Sequence, residues 1–211
     1  READEIEAIW RDLLFHTHAT SVGAITSLAL AAVDTALWDR RCRAARLPLW
    51  RAAGGAQARI PVYTTEGGWL HLSPEALVRE TLAAQQAGFK GAKIKVGKPH
   101  LSEDLARLRA VREAVGDGFE IMIDANQCFT VAEAIRRAPH YAALGIAWFE
   151  EPLPGDDLMG HAKLAATAEA QGLPIAVGES LYSPGQFGDY VRAGAASILQ
   201  VDVARVGGIT P

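Results

Sequence analysis

From residue 60 onward the chain switches repeatedly between short apolar runs and longer segments with helical spacing. Residues 60–64, 91–96, 119–124, 146–150, 174–178 and 197–202 are rich in Ile, Val, Phe, Met and Trp. Each has the length and bounding polar residues of a strand. Between them, segments 74–87, 102–115, 131–142, 157–171 and 184–193 space their apolar residues like helices. Their starts are marked: Ser73 stands before Pro74 at the first helical position, and Ser183 before Pro184. Ser102 and Thr130 are expected N-caps, with Glu103 and Asp104 placed to complement a helix dipole. Strands alternating with helices predict a parallel sheet joined by right-handed crossovers.

Before residue 60 the pattern is helical only. Ile6, Ile9, Trp10, Leu13 and Leu14 put one apolar face on a short helix over 2–14, and residues 15–23 break it. A longer helix follows over 24–45, with few charges before Asp39-Arg40-Arg41, so its first half is expected to be buried. Asp34 within it is expected to be a satisfied structural partner. Pro48 and Gly54-Gly55 close the segment.

The apolar runs share a second property: they end in groups that carry charge. Lys95, Asp124, Glu150, Glu179 and Asp202 terminate five successive runs, at separations of 29, 26, 29 and 23 residues. A (β/α)8 barrel spends about 30 residues per strand-helix unit and places its active site at the C-terminal ends of its strands. An open doubly wound sheet gathers ligands at one switch point instead. The fold expected is therefore α/β, a (β/α)8 barrel over 58–211 with six strands present and two missing, preceded over 1–57 by the helical part of a capping domain. The missing strands, and a sequence that opens on Arg1 and stops at Pro211, raise the expectation of a piece of a longer protein.

Composition narrows the function classes. The chain has 211 residues, 49% hydrophobic and 22% charged, with net charge -4. That balance is ordinary for a globular domain and offers no basic surface to nucleic acid. No apolar run approaches the roughly 18 residues of a membrane span. Two cysteines, Cys42 and Cys128, are too few for a disulfide framework; they read as packing residues in a reducing, cytoplasmic compartment.

The strand-end residues can do chemistry together. Lys93 and Lys95 are two apart and face the same side; Asp124 and Asn126 share a face; Glu150 and Glu151 face opposite sides. Asp124, Glu150 and Glu179 on adjacent strands would crowd like charges, a cost that a divalent cation removes. Oxygen-only ligands favour Mg²⁺ before Mn²⁺. A lysine beside a metal and a second lysine has its ammonium form disfavoured, as a general base requires. It could remove the proton alpha to a metal-bound carboxylate by way of an enediolate. Lys98, Asp156, Asp157 and His161 read as solvated, His16 and His18 as a surface loop, and His100 and His140 as exposed helix flanks. Gly207-Gly208 marks a turn, with phosphate binding a weak alternative.

These residues together resemble the enolase superfamily, specifically the mandelate racemase branch of its mandelate racemase/muconate lactonizing enzyme family. The matching pieces are Lys93-Ile94-Lys95, Asp124-Ala125-Asn126, Trp148-Phe149-Glu150-Glu151-Pro152, Gly178-Glu179-Ser180 and the run from Asp202 through Gly207-Gly208-Ile209-Thr210. The helix bearing Asp34 and Trp38-Asp39 resembles the family's segment before the barrel. The resemblance implies Mg²⁺ held by Asp124, Glu150 and Glu179, and Lys95 as base. It places Lys93 beside the substrate carboxylate, Asn126 on the substrate, and Asp202 as the orienter of a catalytic histidine that lies outside this sequence. It also implies a homo-oligomer acting on a small carboxylate substrate. The texture around Asn126-Gln127 and residues 151–154 resembles acid-sugar dehydratases of the galactarate and talarate kind, acting on an aldarate or aldonate. A racemase or epimerase of a 2-hydroxy acid would use the same residues. A catalytically inactive barrel with a binding or assembly role is the alternative from another class.

Overall fold

The structure, a computed structural model, describes residues 1–20 and 23–211; Ser21 and Val22, inside the expected break, lie outside the described residues. The chain forms two compact units. One comprises Arg1–Ile60, Gly178–Gly188 and Gln200–Pro211, the other Pro61–Val177 and Asp189–Leu199.

The first unit carries α1 (Ile6–His16), α2 (Ala24–Ala45) and a short α3 (Leu49–Ala52) that the sequence pattern did not announce. The first helix runs through His16, two residues into the expected break. Along α2 the buried residues are Ser27, Leu30, Ala31, Asp34 and Trp38, a stripe at helical spacing. Ile25, Leu28 and Val33 are exposed, so the expectation that the whole first half is buried is corrected to one buried face. Asp34 is the structural partner expected. Its carboxylate accepts the backbone amides of Ile209 (2.6 Å) and Thr210 (3.0 Å) and the Thr210 hydroxyl (2.5 Å). Gly208 has φ +124°, and a Cβ there would stand 2.3 Å from Asp34 Oδ2. Gly208 therefore serves an internal carboxylate, while the Gly207 carbonyl accepts the Trp10 indole N–H at 2.8 Å.

The second unit holds a five-stranded parallel sheet: β1 (Gly91–Lys95), β2 (Glu120–Asp124), β3 (Ile146–Glu150), β4 (Ile175–Val177) and β5 (Ile198–Leu199), in the order β1-β2-β3-β4-β5. Strictly increasing order has no switch point, so right-handed crossovers put every connecting helix on one face, as in a (β/α) barrel. The helices are α4 (Pro74–Gln86), α5 (Leu101–Val115), α6 (Val131–Ala142) and α7 (Leu158–Ala168); α8 follows over Pro184–Arg192. Neighbouring helices pack in pairs, α4 on α5 and α6 on α7. Ile94, Ile121, Ile123, Phe149, Leu108 and Leu164 are fully buried among them. No helix among the described residues is long and apolar enough to cross a membrane.

Several boundaries move for physical reasons. The expected strand over 60–64 shrinks to a single bridge between Thr64 and Ala92, since Pro61 has no amide to donate. The run 197–202 keeps only two strand residues, and Asp202 ends it by accepting the amide of Ala204 (2.8 Å). Ser102 is not the cap of α5: the helix starts one residue earlier, and the Glu103 carboxylate reaches back to the His100 amide (3.0 Å). Thr130 caps α6 as expected, accepting from the Glu133 amide at 3.3 Å. The last turn of the expected helix 157–171 tightens to a 3₁₀ turn over Glu169–Gln171 before left-handed Gly172.

Candidate active site

Strand alternation sets the site in the second unit. On β1, Ala92 and Ile94 point into the helix layer, which sends Lys93 and Lys95 to the opposite face. On β2 the pairing of Lys95 with Asp124 puts that carboxylate on the same face as the lysines. A register shift follows: Ile121 pairs with Ile146, but Ile123 pairs with Phe149, so β3 carries one extra residue. This bulge keeps both Ile146 and Phe149 on the helix side and brings Glu150 opposite Asp124.

The four charged groups meet. Lys93 Nζ lies 2.6 Å from Glu150 Oε1 and 3.2 Å from Asp124 Oδ2, and Lys95 Nζ lies 2.5 Å from the same Asp124 oxygen. Asp124 Oδ1 accepts the Asn126 amide at 2.8 Å, and Trp148 Nε1 donates to Glu150 Oε2 at 3.3 Å. Asp124 is 1% exposed, Glu150 2% and Lys93 9%. Burial pulls the Lys93 pKa down, but the Glu150 hydrogen bond and the charges of Glu150, Asp124 and Tyr63 together raise it above the ordinary lysine value. Lys95 Nζ stands 6.0 Å from the centre of the Trp69 ring.

Backbone strain gathers at the same strand ends. Asn126 (φ +44°), Gln127 (+65°) and Glu151 (+36°) are left-handed without being glycine. Glu151 turns away from Glu150, as alternation requires, and its carboxylate accepts from the Gln127 side-chain Nε2 at 3.3 Å. Gln127 Oε1 also takes the Gly155 amide at 2.9 Å, so the two loops are tied together.

Beneath Lys95 lies a buried network that sequence reasoning missed. Arg107 donates to the carbonyls of Lys95 (2.8 Å) and Trp69 (3.1 Å). Asp104 accepts the Gly97 amide (2.9 Å), Arg137 Nη1 (2.9 Å) and the Tyr141 hydroxyl (3.2 Å). Burial, then the Asp104 charge, pushes the Tyr141 hydroxyl pKa up. The helical spacing of Asp104 and Arg107 was readable. Arg137, 33 residues on, gave no local signal.

In the first unit, Glu179 Oε1 pairs with Arg205 at 3.1 Å, and Arg205 Nε stands 3.7 Å from Asp202. Other expectations need correction. His161 is fully buried, not solvated: its Nδ1 contacts the Asp157 carbonyl (3.0 Å) and the Tyr190 hydroxyl (3.1 Å). Asp157 caps α7 through the Gly160 amide (2.9 Å). Lys98 is half-buried, and Cys128 is exposed, not packed. His16, His18, His100 and His140 are exposed as expected.

Among the described residues, no three His, Cys, Asp or Glu side chains gather to hold a metal ion. The pair Asp124–Glu150 nonetheless fits one. Both carboxylates are buried, all their donors are hard oxygens, and one oxygen of each already touches a single ammonium nitrogen, that of Lys93.

A family model described as enolase C-terminal domain-like matches residues 76–211. The L-talarate/galactarate dehydratase of Salmonella typhimurium is 36% identical over 210 residues, covering 100% of this chain and 52% of that protein. The 3,6-anhydro-alpha-L-galactonate cycloisomerase of Streptomyces coelicolor is 40% identical over 210 residues, covering 99% of this chain and 57% of that protein. The crystal structure of L-talarate dehydratase from Polaromonas sp. JS666, complexed with Mg and L-glucarate, superposes with a TM-score of 0.91 at 36% identity. It covers 100% of this chain and 58% of that one. The chain spans about half the length of the curated relatives it matches.

Proposed function

The chain belongs to the enolase C-terminal domain-like family, and on that premise we propose that it carries most of the proton-abstraction site of a Mg²⁺-dependent enzyme acting on an acid sugar, by preference a dehydratase. The observation that carries this reading is the contact of two lysines with two buried carboxylates on adjacent strands. Asp124 and Glu150 would hold the metal, and the assignment of Glu179 as a third ligand rests on its motif, Gly178-Glu179-Ser180, alone. When bound, Mg²⁺ supplies fixed positive charge against the negative charge that develops on the substrate carboxylate.

The remaining work belongs to side chains of this chain. Lys95, half-covered and next to the Trp69 ring, is the base that takes the proton alpha to the carboxylate. Lys93, more deeply buried and hydrogen-bonded to Glu150 at 2.6 Å, is the cation that binds the substrate carboxylate. Asn126, fixed by its own amide on Asp124, orients the substrate chain. Asp202 is the orienter of a histidine outside this sequence. A homo-oligomer is part of the same reading, and light scattering checks it.

The test uses the full-length protein with Mg²⁺ and a panel of acid sugars in D₂O, following alpha-deuterium incorporation and 2-keto-3-deoxy product. Keto product that disappears on chelation and in Lys95→Ala supports the dehydratase. Exchange with inversion and no keto product moves the reading to a racemase or epimerase, which needs the same lysines. Neither signal, with no metal bound, points to an inactive binding barrel.

A further inference from the structure

The loops that follow β2 and β3 stay hydrogen-bonded to each other after the strands end, but out of step. The backbone amides of Ala125, Gln127 and Phe129 donate to the carbonyls of Glu150 (3.1 Å), Glu151 (2.7 Å) and Pro152 (3.1 Å). The donors advance by two residues at each step and the acceptors by one. The first loop therefore carries surplus chain, which bows out between its anchors as in a bulge. Asn126 and Cys128 lie between the anchors and are exposed, whereas Ala125 and Phe129 are buried. Asn126 is thus extruded on the side where its backbone amide meets Asp124 Oδ1 at 2.8 Å, and it lines one cavity with Lys95.

Bowing out stores strain. Asn126, Gln127 and Glu151 are all left-handed, a region that Asn tolerates and that Gln and Glu disfavour. The Gln127 carboxamide ties the two disfavoured residues together. Its Nε2 donates to Glu151 Oε2 at 3.3 Å, and its Oε1 accepts the Gly155 amide at 2.9 Å. Gly155 is held in turn: its carbonyl accepts the Tyr190 hydroxyl at 3.0 Å, and the buried Tyr190 ring packs edge-on against His161. Both ends of the carboxamide engage the neighbouring loop, so what Gln127 imparts to the site passes through the adjoining Asn126.

We propose that Gln127 is a positioning residue: its carboxamide clamps the loop after Asp124 to the loop after Glu150 and so holds Asn126 in the strained conformation that presents it to substrate. The inference rests on the proposed role of Asn126. Without the clamp, relaxation of the left-handed pair swings the Asn126 side chain away. Asp124 and Glu150 stay where the pairing of β2 with β3 puts them.

The test follows alpha-deuterium exchange by the full-length protein with Mg²⁺ in D₂O, with galactarate and galactonate as probes. Gln127→Met keeps the bulk of the side chain and removes its hydrogen bonds. Its kcat is expected to fall about 10²-fold, the cost of a misplacement of about 1 Å. KM should hold within about threefold, because Lys93, Asp124 and Glu150 are unchanged. The rise in melting temperature with Mg²⁺ should be kept for the same reason. Asn126→Gly removes the side chain and adopts the left-handed conformation without strain. Since Gln127 acts through Asn126, the double variant should lose no more than Asn126→Gly alone, within about threefold. Tyr190→Phe loosens Gly155 while leaving Gln127 in place; it should lower kcat about threefold, and no further when Asn126→Gly is already present. Losses that multiply in either double variant overturn the inference. So does a Gln127→Met that loses the Mg²⁺-dependent rise, and so does an unchanged kcat in Gln127→Met or, should that variant not fold, in Tyr190→Phe. Lys95-dependent exchange in the wild type beside any of these results removes the clamp and leaves the proton abstraction. A wild type without exchange, or exchange that survives Lys95→Ala, removes the reaction and the positioning role with it.

Discussion

Two clusters of buried charge lie within a few residues of each other in the second unit, and they are built differently. In one, Lys93, Lys95, Asp124 and Glu150 meet at the strand ends, almost wholly side chain to side chain. In the other, Asp104, Arg107 and Arg137 sit under the loop that follows β1, and most of their hydrogen bonds go to backbone groups of residues 69, 95 and 97–99. An ion that grips the backbone cannot change partner without moving the chain. A lysine that grips a carboxylate can release it by a rotamer change, so the first cluster can exchange its cations and the second cannot. Glu133, a part-exposed carboxylate that Arg137 also grips, is tightly engaged as well: hydrogen bonds from Arg136 and Arg137 hold its carboxyl down to about 2. Buried charge marks function where its partners are replaceable, and scaffold where they are the main chain.

The largest expected effect breaks the scaffold. Asp104→Ala takes the buried carboxylate from Arg137, leaving it only the part-exposed Glu133, and leaves the Gly97 and Lys98 amides without an acceptor; it should cost about 3 kcal/mol of stability, read by urea denaturation. A loss under about 1 kcal/mol would show that the network is not holding the loop. The mirror experiment is Lys95→Met. Asp124 keeps Lys93 and the Asn126 amide, so stability should fall far less than in Asp104→Ala. Alpha-proton exchange by the full-length protein should fall about 10²–10⁴-fold, the usual worth of a general base. If Lys95→Met instead unfolds the protein while exchange per folded molecule survives, the two clusters have been assigned the wrong way round.

The two clusters were unequally legible in the sequence. Lys95, Asp124 and Glu150 announced themselves because each ends an apolar run, and the two-residue alternation put Lys93 on the same face as Lys95. The parallel sheet and the extents of α2 and α6 were readable from the same periodicities. The bulge in β3 was not: Ile146 and Phe149 break alternation, and only the neighbouring strand's register reveals the extra residue. Asp104 was read as a partner of the helix dipole, which a first-turn carboxylate always resembles. Its real partners come from Gly97, Lys98 and Arg137, and a contact across 33 residues leaves no periodic trace. His161 was misread for a related reason. Its polar neighbours Asp156 and Asp157 suggest solvent, yet the face of α7 that carries Gly160, Leu164 and Ala168 carries it inward.

A smaller effect separates the clusters by ligand. Mg²⁺ that binds only the folded state adds RT ln(1 + [L]/Kd), about 2.7 kcal/mol at a hundred times Kd. The full-length protein should therefore melt higher with Mg²⁺, and Asp124→Asn should abolish that rise. Arg107→Met, which removes bonds to the backbone of Lys95 and Trp69 but touches neither Asp124 nor Glu150, should lower the melting temperature equally with and without the metal. A metal-dependent rise that persists in Asp124→Asn would move the ion away from this carboxylate.

The smallest effect concerns a buried group that belongs to neither cluster. Burial lowers the pKa of His161, while its contact with Asp157 only partly offsets this. Its Nε2 has no hydrogen-bond partner among the described residues. Unlike Lys93, it forms no ion pair among the described residues strong enough to outweigh its burial, so the neutral form is favoured. The unfolded chain takes up a proton near pH 6.5 and the folded chain does so only at lower pH, so protons favour unfolding. Stability is complete above about pH 6.5 and falls as pH drops below it, by at most about 1.4 kcal/mol per pH unit, until the folded pKa is reached. His161→Gln cannot take up that proton, so comparing its denaturation midpoints with wild type between pH 7 and 5 isolates the contribution. An unchanged slope would mean that His161 is charged in the fold, and that some group near Tyr190 is pairing it as the carboxylates pair Lys93.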